Sequence, residues 1–298
     1  MKTRLLVLAI LATLSTSALA ASGNTAASIQ TGNSNKVATT QAGNTNAATV
    51  IQSGDLNKST LTQTGDSNIA NVTQSIGAGV TPAGLFSNVS TVDQSGGNNN
   101  TVNATQTGDA NAVTTTQVGN TNASTSDQTG DTNTTTVGQT GDTNSATVTQ
   151  TGNSDIASIT QTGNSDTATI SQTAGNGNSA TISQTVGDGN TASITQTGNS
   201  NTSEIIQIGA GNTANNTQLG DGNTSSITQD GSLNAVNATG GDILLVVQTG
   251  DSNTVTDTNG HSLTINQDGN LNTASLSGGS GTVSIDQTGN GNSAIVVQ

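Results

Sequence analysis

The 298-residue chain has no Cys, Trp or Tyr, and only one Phe, one Pro, one His and one Met. Each scarcity excludes something. Without cysteine there is no disulfide, no thiolate metal site and no cysteine nucleophile. A single histidine, His261, leaves acid–base and metal chemistry few candidates. Four Lys and Arg against 18 acids cannot neutralise a phosphate backbone, which argues against nucleic-acid binding. With 29% hydrophobic residues, much of it Ala, and almost no aromatics, an ordinary apolar core is out of reach. That composition by itself is one of disorder. The low charge content, 7%, and the strict order of the residues point the other way.

The first twenty residues read as a cleaved secretory signal. Lys2 and Arg4 form a positive start, Leu5 to Leu14 an apolar stretch, and Ala18-Leu19-Ala20 a small-residue cleavage site. The apolar stretch is too short to span a bilayer comfortably, which disfavours a membrane anchor. The mature chain, from Ala21, keeps only Lys36 and Lys58 against all 18 acids.

What the chain does have is one repeat. Its 22 glutamines fall on a lattice, from Gln30 to Gln298; of the 21 gaps fourteen are 11 residues, three are 12 and four are 19 or 20. Such regularity marks a repeat architecture. A typical unit is Thr140 to Gln150, T-G-D-T-N-S-A-T-V-T-Q. Its second half alternates with period two: Asn144, Ala146, Val148 and Gln150 share one face, Ser145, Thr147 and Thr149 the other. Thr-rich alternation favours strand, and the T-G-(N/D) segment is turn chemistry.

A short strand followed by a short turn builds no large sheet core, but it can build a stacked coil. The predicted fold is an all-β solenoid with two strands per turn, about 25 short strands and about 12 rungs. Near the C-terminus every second strand, ending near Gly240, Asn259 and Gly278, lacks Gln, as a two-sided rung would produce. Facing strands then set small Ala against Ile or Val. Along the stack Asn lies over Asn and Gln over Gln, each amide expected to donate to the next. Asn68, Gln74, Asn144, Gln150, Gln161, Gln172, Asn190, Gln196, Asn212, Gln218 and Gln298 represent this structural amide ladder. The pattern runs from Asn24 to Gln298 without polar caps, so end-to-end addition of further copies, and a filament, is expected.

The units resemble the curlin repeat, Q-x-G-x-x-N-x-A-x-x-x-Q, of curli-type bacterial amyloid subunits. Gln63 to Gln74 fits it, and Gln184 to Gln196 fits with one extra turn residue. The resemblance covers essentially all of residues 21–298. It implies an extracellular functional amyloid of an adhesive biofilm matrix, secreted to cell-surface fibres. Its partner would be itself, or a related curli subunit or nucleator. It also implies that Gln and Asn at these places carry polymerisation. The chain departs from the family in having about twice the repeats of a typical major subunit. It also lacks strand aromatics and a Gly-rich segment between signal and repeats.

Other features have their own readings. Ser75 to Asn88, with the only Pro and the only Phe, expands one turn, and turns accept such insertions readily. Lys36 and Lys58 occupy one outward place two strands apart, as solvated lysines or as gatekeepers against edge pairing. Turn acids such as Asp55, Asp66, Asp109, Asp131, Asp142 and Asp251 supply one carboxylate per turn, a poor calcium pattern. Asp155 and Asp166 stand at the Asn place of adjacent strands, on opposite edges of a rung, and read as structural rather than catalytic. No catalytic, cofactor or metal set is found, and membrane insertion as a barrel lacks its aromatic girdles. The alternative function is a monomeric solenoid binding ice or another surface through its outward Thr rows.

Overall fold

A computed structural model describes residues 22–76, 87–240, 243–258, 262–278 and 281–298. The candidate signal peptide, most of the 75–88 insertion, Asn259 and His261 lie outside the described residues. The described chain is all-β, with 25 strands. One sheet holds the odd-numbered strands: β1 Thr25–Thr31, β3 Ala47–Ser53, β5 Ile69–Ser75, β7 Thr101–Thr107, β9 Ala123–Thr129, β11 Ser145–Thr151, β13 Thr167–Thr173, β15 Thr191–Thr197, β17 Thr213–Leu219, β19 Ala235–Gly240, β21 Thr254–Asp257, β23 Thr273–Ser277 and β25 Ser293–Val297. The other holds the even-numbered: β2 Lys36–Ala42, β4 Lys58–Thr64, β6 Val89–Ser95, β8 Ala112–Val118, β10 Thr134–Thr140, β12 Ile156–Thr162, β14 Ser179–Thr185, β16 Thr202–Ile208, β18 Thr224–Asp230, β20 Ile243–Thr249, β22 Ser262–Asp268 and β24 Thr282–Thr288. Each strand pairs in parallel with the strand two further on, so one turn of the coil takes two strands.

Register is set by the side-chain alternation, because a slip of one residue would turn every inward group out to water. Ala146, Val148 and Gln150 of β11 lie over Ala168, Ile170 and Gln172 of β13. Those inward places are buried and the Ser and Thr between them are partly or fully exposed. Ile159, Ile170, Ile182 and Ile194 are fully buried, each contributing about 1.5–3 kcal/mol. The 75–88 insertion leaves the coil undisturbed: Lys58 pairs with Val89, and β4 to β6 run in register across it.

Two apolar cores form rather than one. Nine buried residues between Ala48 and Val113 make the first. A larger one runs from Val137 to Ile285. Between them the inward places carry Thr115, Ser124, Ser126 and Thr135, all buried.

The turns stack too. Gly141 donates its N–H to Val118 O at 2.9 Å, and Thr143 to Asn120 O at 2.9 Å. Gly141 has φ 115°, and a Cβ there would sit 1.9 Å from Gly163 O of the turn above, so glycine is required both by the backbone and by the closeness of the stacking.

Candidate functional site

The candidate site is a pair of buried amide rows, one running the length of the coil and the other ending at Gln218. In the even-numbered sheet twelve glutamines, Gln41 to Gln287, form one continuous row. Each Nε2 donates to the Oε1 of the next, over 2.7–3.0 Å. In the odd-numbered sheet nine glutamines, Gln30 to Gln218, do the same over 2.8–3.0 Å. Every bond points toward the C-terminal rung, so both rows are polar: acceptor oxygens face the β1 and β2 end, donor nitrogens the other.

From Gln41 onward each Nε2 in the two rows also uses its second hydrogen across the rung. Gln150 donates to Thr134 O at 3.1 Å and Gln161 to Ser145 O at 3.0 Å, tying one sheet to the other. Gln74, Gln172 and Gln196 make the same pair of bonds. These side chains are fully buried, where an unsatisfied amide would be costly.

Asparagine behaves differently from the amide-to-amide expectation. Asn144 Oδ1 accepts the backbone N–H of Asp166 above it at 3.0 Å, and Nδ2 donates to Gly163 O at 2.9 Å. Asn68 accepts from Asn100 N–H and donates to Gly97 O. Asn212 accepts from Asn234 N–H and donates to Gly231 O. Asn190 Oδ1 accepts from Asn212 N–H. The side chain is one methylene shorter than Gln and sits where the turn meets the strand, so its amide meets backbone before it meets another side chain. The Asn rows therefore latch turn to turn, while the Gln rows link side chain to side chain.

Two sequence-derived ladder members stand apart. Gln218 ends its row: Gly240 occupies the next place, and its Nε2 keeps the bond to Thr202 O at 3.0 Å. Beside this break lies a cavity of about 10 Å³, lined by Asn216, Gln218, Ser225, Gly240 and Asp257, enough for one water. Gln298 is exposed beyond β25 and has no glutamine beneath it. Its backbone N–H donates to Ser277 O at 3.1 Å.

The turn acids have a structural task that sequence reasoning did not assign. Oδ1 of Asp55, Asp66, Asp131, Asp142 and Asp251 accepts the backbone N–H of Asn33, Asn44, Asp109, Asn120 and Ser232 one turn below, at 2.6–2.9 Å. The signal was present in the interchange of Asn and Asp at that place, since both carry an acceptor oxygen on Cγ. Among the described residues no three His, Cys, Asp or Glu side chains converge as a metal site would need.

Asp155 and Asp166 are buried at the Asn place, on opposite edges of the coil. Asp155 Oδ1 accepts from Asn178 N–H and Nδ2 at 2.8 and 3.2 Å, and Asp166 Oδ1 from Asn190 in the same way. The Oδ2 atom of each has no partner. Burial is the main cause that pushes both carboxyls above the usual carboxylate range. The bonds from Asn178 and Asn190 pull them partly back, and the Asp188 charge adds to the rise at Asp166.

No curated protein matches the chain. A scan of protein families matches the curlin associated repeat five times, at residues 43–75, 108–141, 130–163, 152–185 and 187–220. Each match covers about one full rung or more of the coil, with its Gly, Asn and Gln at the turn, latch and ladder places described above. With the motif matched five times between residues 43 and 220 and its residues stacked in register, the chain carries the curlin associated repeat.

Proposed function

We propose that this is an exported structural protein that polymerises end to end into curli-like amyloid fibres of an adhesive, biofilm-type matrix. Residues 1–20 serve as the cleaved signal, and residues 21–298 form the repeat solenoid. The chain's principal partner is another copy of itself, with a related subunit or nucleator as a second partner. The buried amide places, represented by Gln74, Gln150, Gln161, Gln172 and Gln196, carry the register of the polymer.

The observation that supports this reading is the polar, in-register glutamine row spanning all twelve strands of one sheet. A row that presents acceptors at one end and donors at the other is self-complementary head to tail. Such a heterologous contact does not close on itself and so propagates as a filament. Among the described residues, β1, β2, β24 and β25 each pair on one side only, and such edges template further pairing.

The test uses mature chain from Ala21, freshly diluted from denaturant, followed by amyloid-dye binding, electron microscopy and fibre diffraction. The expected outcome is unbranched, seedable fibres with a repeat of about 4.7 Å along the axis. A stable, soluble, strand-rich monomer would overturn the fibre reading and favour surface binding through the outward Thr rows.

A further inference from the structure

The orphaned oxygens of Asp155 and Asp166 occupy a place whose chemistry the neighbouring rungs define. One rung below, Asn133 and Asn144 donate from Nδ2 to Gly152 O and Gly163 O of the next turn, each at 2.9 Å. At Asp155 and Asp166 the nitrogen is replaced by Oδ2, an acceptor. The turn carbonyls in the matching position belong to Gly175 and Gly187. A Cβ on Gly152 would lie 1.8 Å from Gly175 O and 2.8 Å from Asp155 Oδ2. On Gly163 the corresponding distances are 2.1 Å to Gly187 O and 3.0 Å to Asp166 Oδ2. Acceptor and carbonyl thus crowd one buried spot with no donor between them.

The backbone responds at these two rungs. Gly152 and Gly163 have φ 150° and 146°, whereas Gly130 and Gly141 directly beneath have 114° and 115°. The extra residue in the turns above is not the cause. Gly65 lies beneath an equally long turn, that of Gly97, keeps φ 101°, and has Asn68 at the latch place.

We propose that Asp155 and Asp166 are a pair of proton-binding sites that latch the middle of the solenoid. Each takes one proton from solvent onto Oδ2, and the resulting neutral acid donates to the turn carbonyl above, as the Asn amide does elsewhere. A spacing of 2.9 Å between amide and carbonyl in the flanking rungs suits an O–H···O bond. A calcium ion would need six to eight oxygens, which the place does not supply.

Among the described residues no base faces either group. The turn below Asp155 carries Asp131, and the turn above it Asn176 and Asn178. Asp166 is flanked by Asp142 below and Asp188 above. The glutamines that cross from the opposite sheet, Gln172 and Gln184, are neutral. The described basic residues, Lys36 and Lys58, belong to β2 and β4 at the far end. Ionisation therefore has no counter-ion to offset it; burial is the main cause that raises both carboxyls, and the Asp188 charge adds to it at Asp166.

The sign follows. A folded-state pKa above the unfolded value makes the fold most stable in acid. Stability is then lost as pH rises from the ordinary carboxylate value through the raised folded value.

The test is denaturant unfolding of the mature chain, read by circular dichroism below the concentration at which fibres form, so it does not depend on the fibre reading. Asp155→Asn with Asp166→Asn is compared with the charge-matched pair Asp221→Asn with Asp251→Asn, two exposed turn acids. The first pair is expected to raise the unfolding midpoint over wild type near pH 7. That gain should disappear at about pH 2.5, where the wild-type acids are protonated in both states. The second pair should show no gain with that pH profile. A gain for the first pair that is equal at both pH values, or no gain at pH 7, overturns the proposal.

Discussion

At the scale of a single residue, one extra methylene divides the work between Gln and Asn. Gln reaches the next side chain in the stack and a carbonyl across the rung. Asn reaches only the neighbouring turn. Gln161 receives from Gln139 and donates to Gln184 and Ser145 O. Gln161→Ala should cost about 2–4 kcal/mol, because buried partners are left unsatisfied. Gln298→Ala, on an exposed side chain, should change stability by less than about 0.5 kcal/mol. Denaturant midpoints of the two variants check both, and equal costs would contradict the ladder geometry.

At the scale of the strand and turn, glycine has opposite value at two nearby positions. Gly138 lies within β10 at an outward place, with nothing near where a Cβ would be. There glycine only loosens the unfolded chain and weakens the strand. Gly138→Thr should therefore stabilise by about 1 kcal/mol. Gly141 holds a left-handed turn conformation pressed on Gly163 O. Gly141→Ala should destabilise by at least about 2 kcal/mol, from backbone strain and the displaced turn. Thermal unfolding of both variants separates them by sign.

At the scale of the whole molecule, the coil is continuous in hydrogen bonding but divided in apolar packing. Thr115, Ser124 and Ser126 point inward between the two cores, and their hydroxyls find no partner. The smaller core should open first: native-state hydrogen exchange is expected to be faster in β3–β7 than in β11–β16. Ser126→Val places an apolar group between Ala104 and Val148, in the row that β7, β9 and β11 share. It should slow exchange in β3–β7, by joining the cores and removing an orphaned hydroxyl. Uniform exchange along the wild-type coil would show that the backbone ladders alone set cooperativity.

Much of this architecture was legible without coordinates, because its information is periodic. An 11-residue spacing, a period-two face such as Asn144, Ala146, Val148 and Gln150, and a Gln missing from every second strand near the C-terminus are enough to define a two-strand coil. They also identify which side chains turn inward. The alternation determines this residue by residue, since a slip of one place would bury Thr and expose Ile. The hydrogen-bond partners of each polar group, in contrast, emerge only once the coil is closed. They depend on atoms as far as 32 residues away rather than on neighbours in sequence. The closed coil shows the Asn rows bonding to turn backbone, the turn acids accepting N–H groups, Gln298 standing outside the row, and Gly240 breaking it. It also leaves Asp155 and Asp166, each a single-atom change from Asn, with an acceptor where the stack calls for a donor.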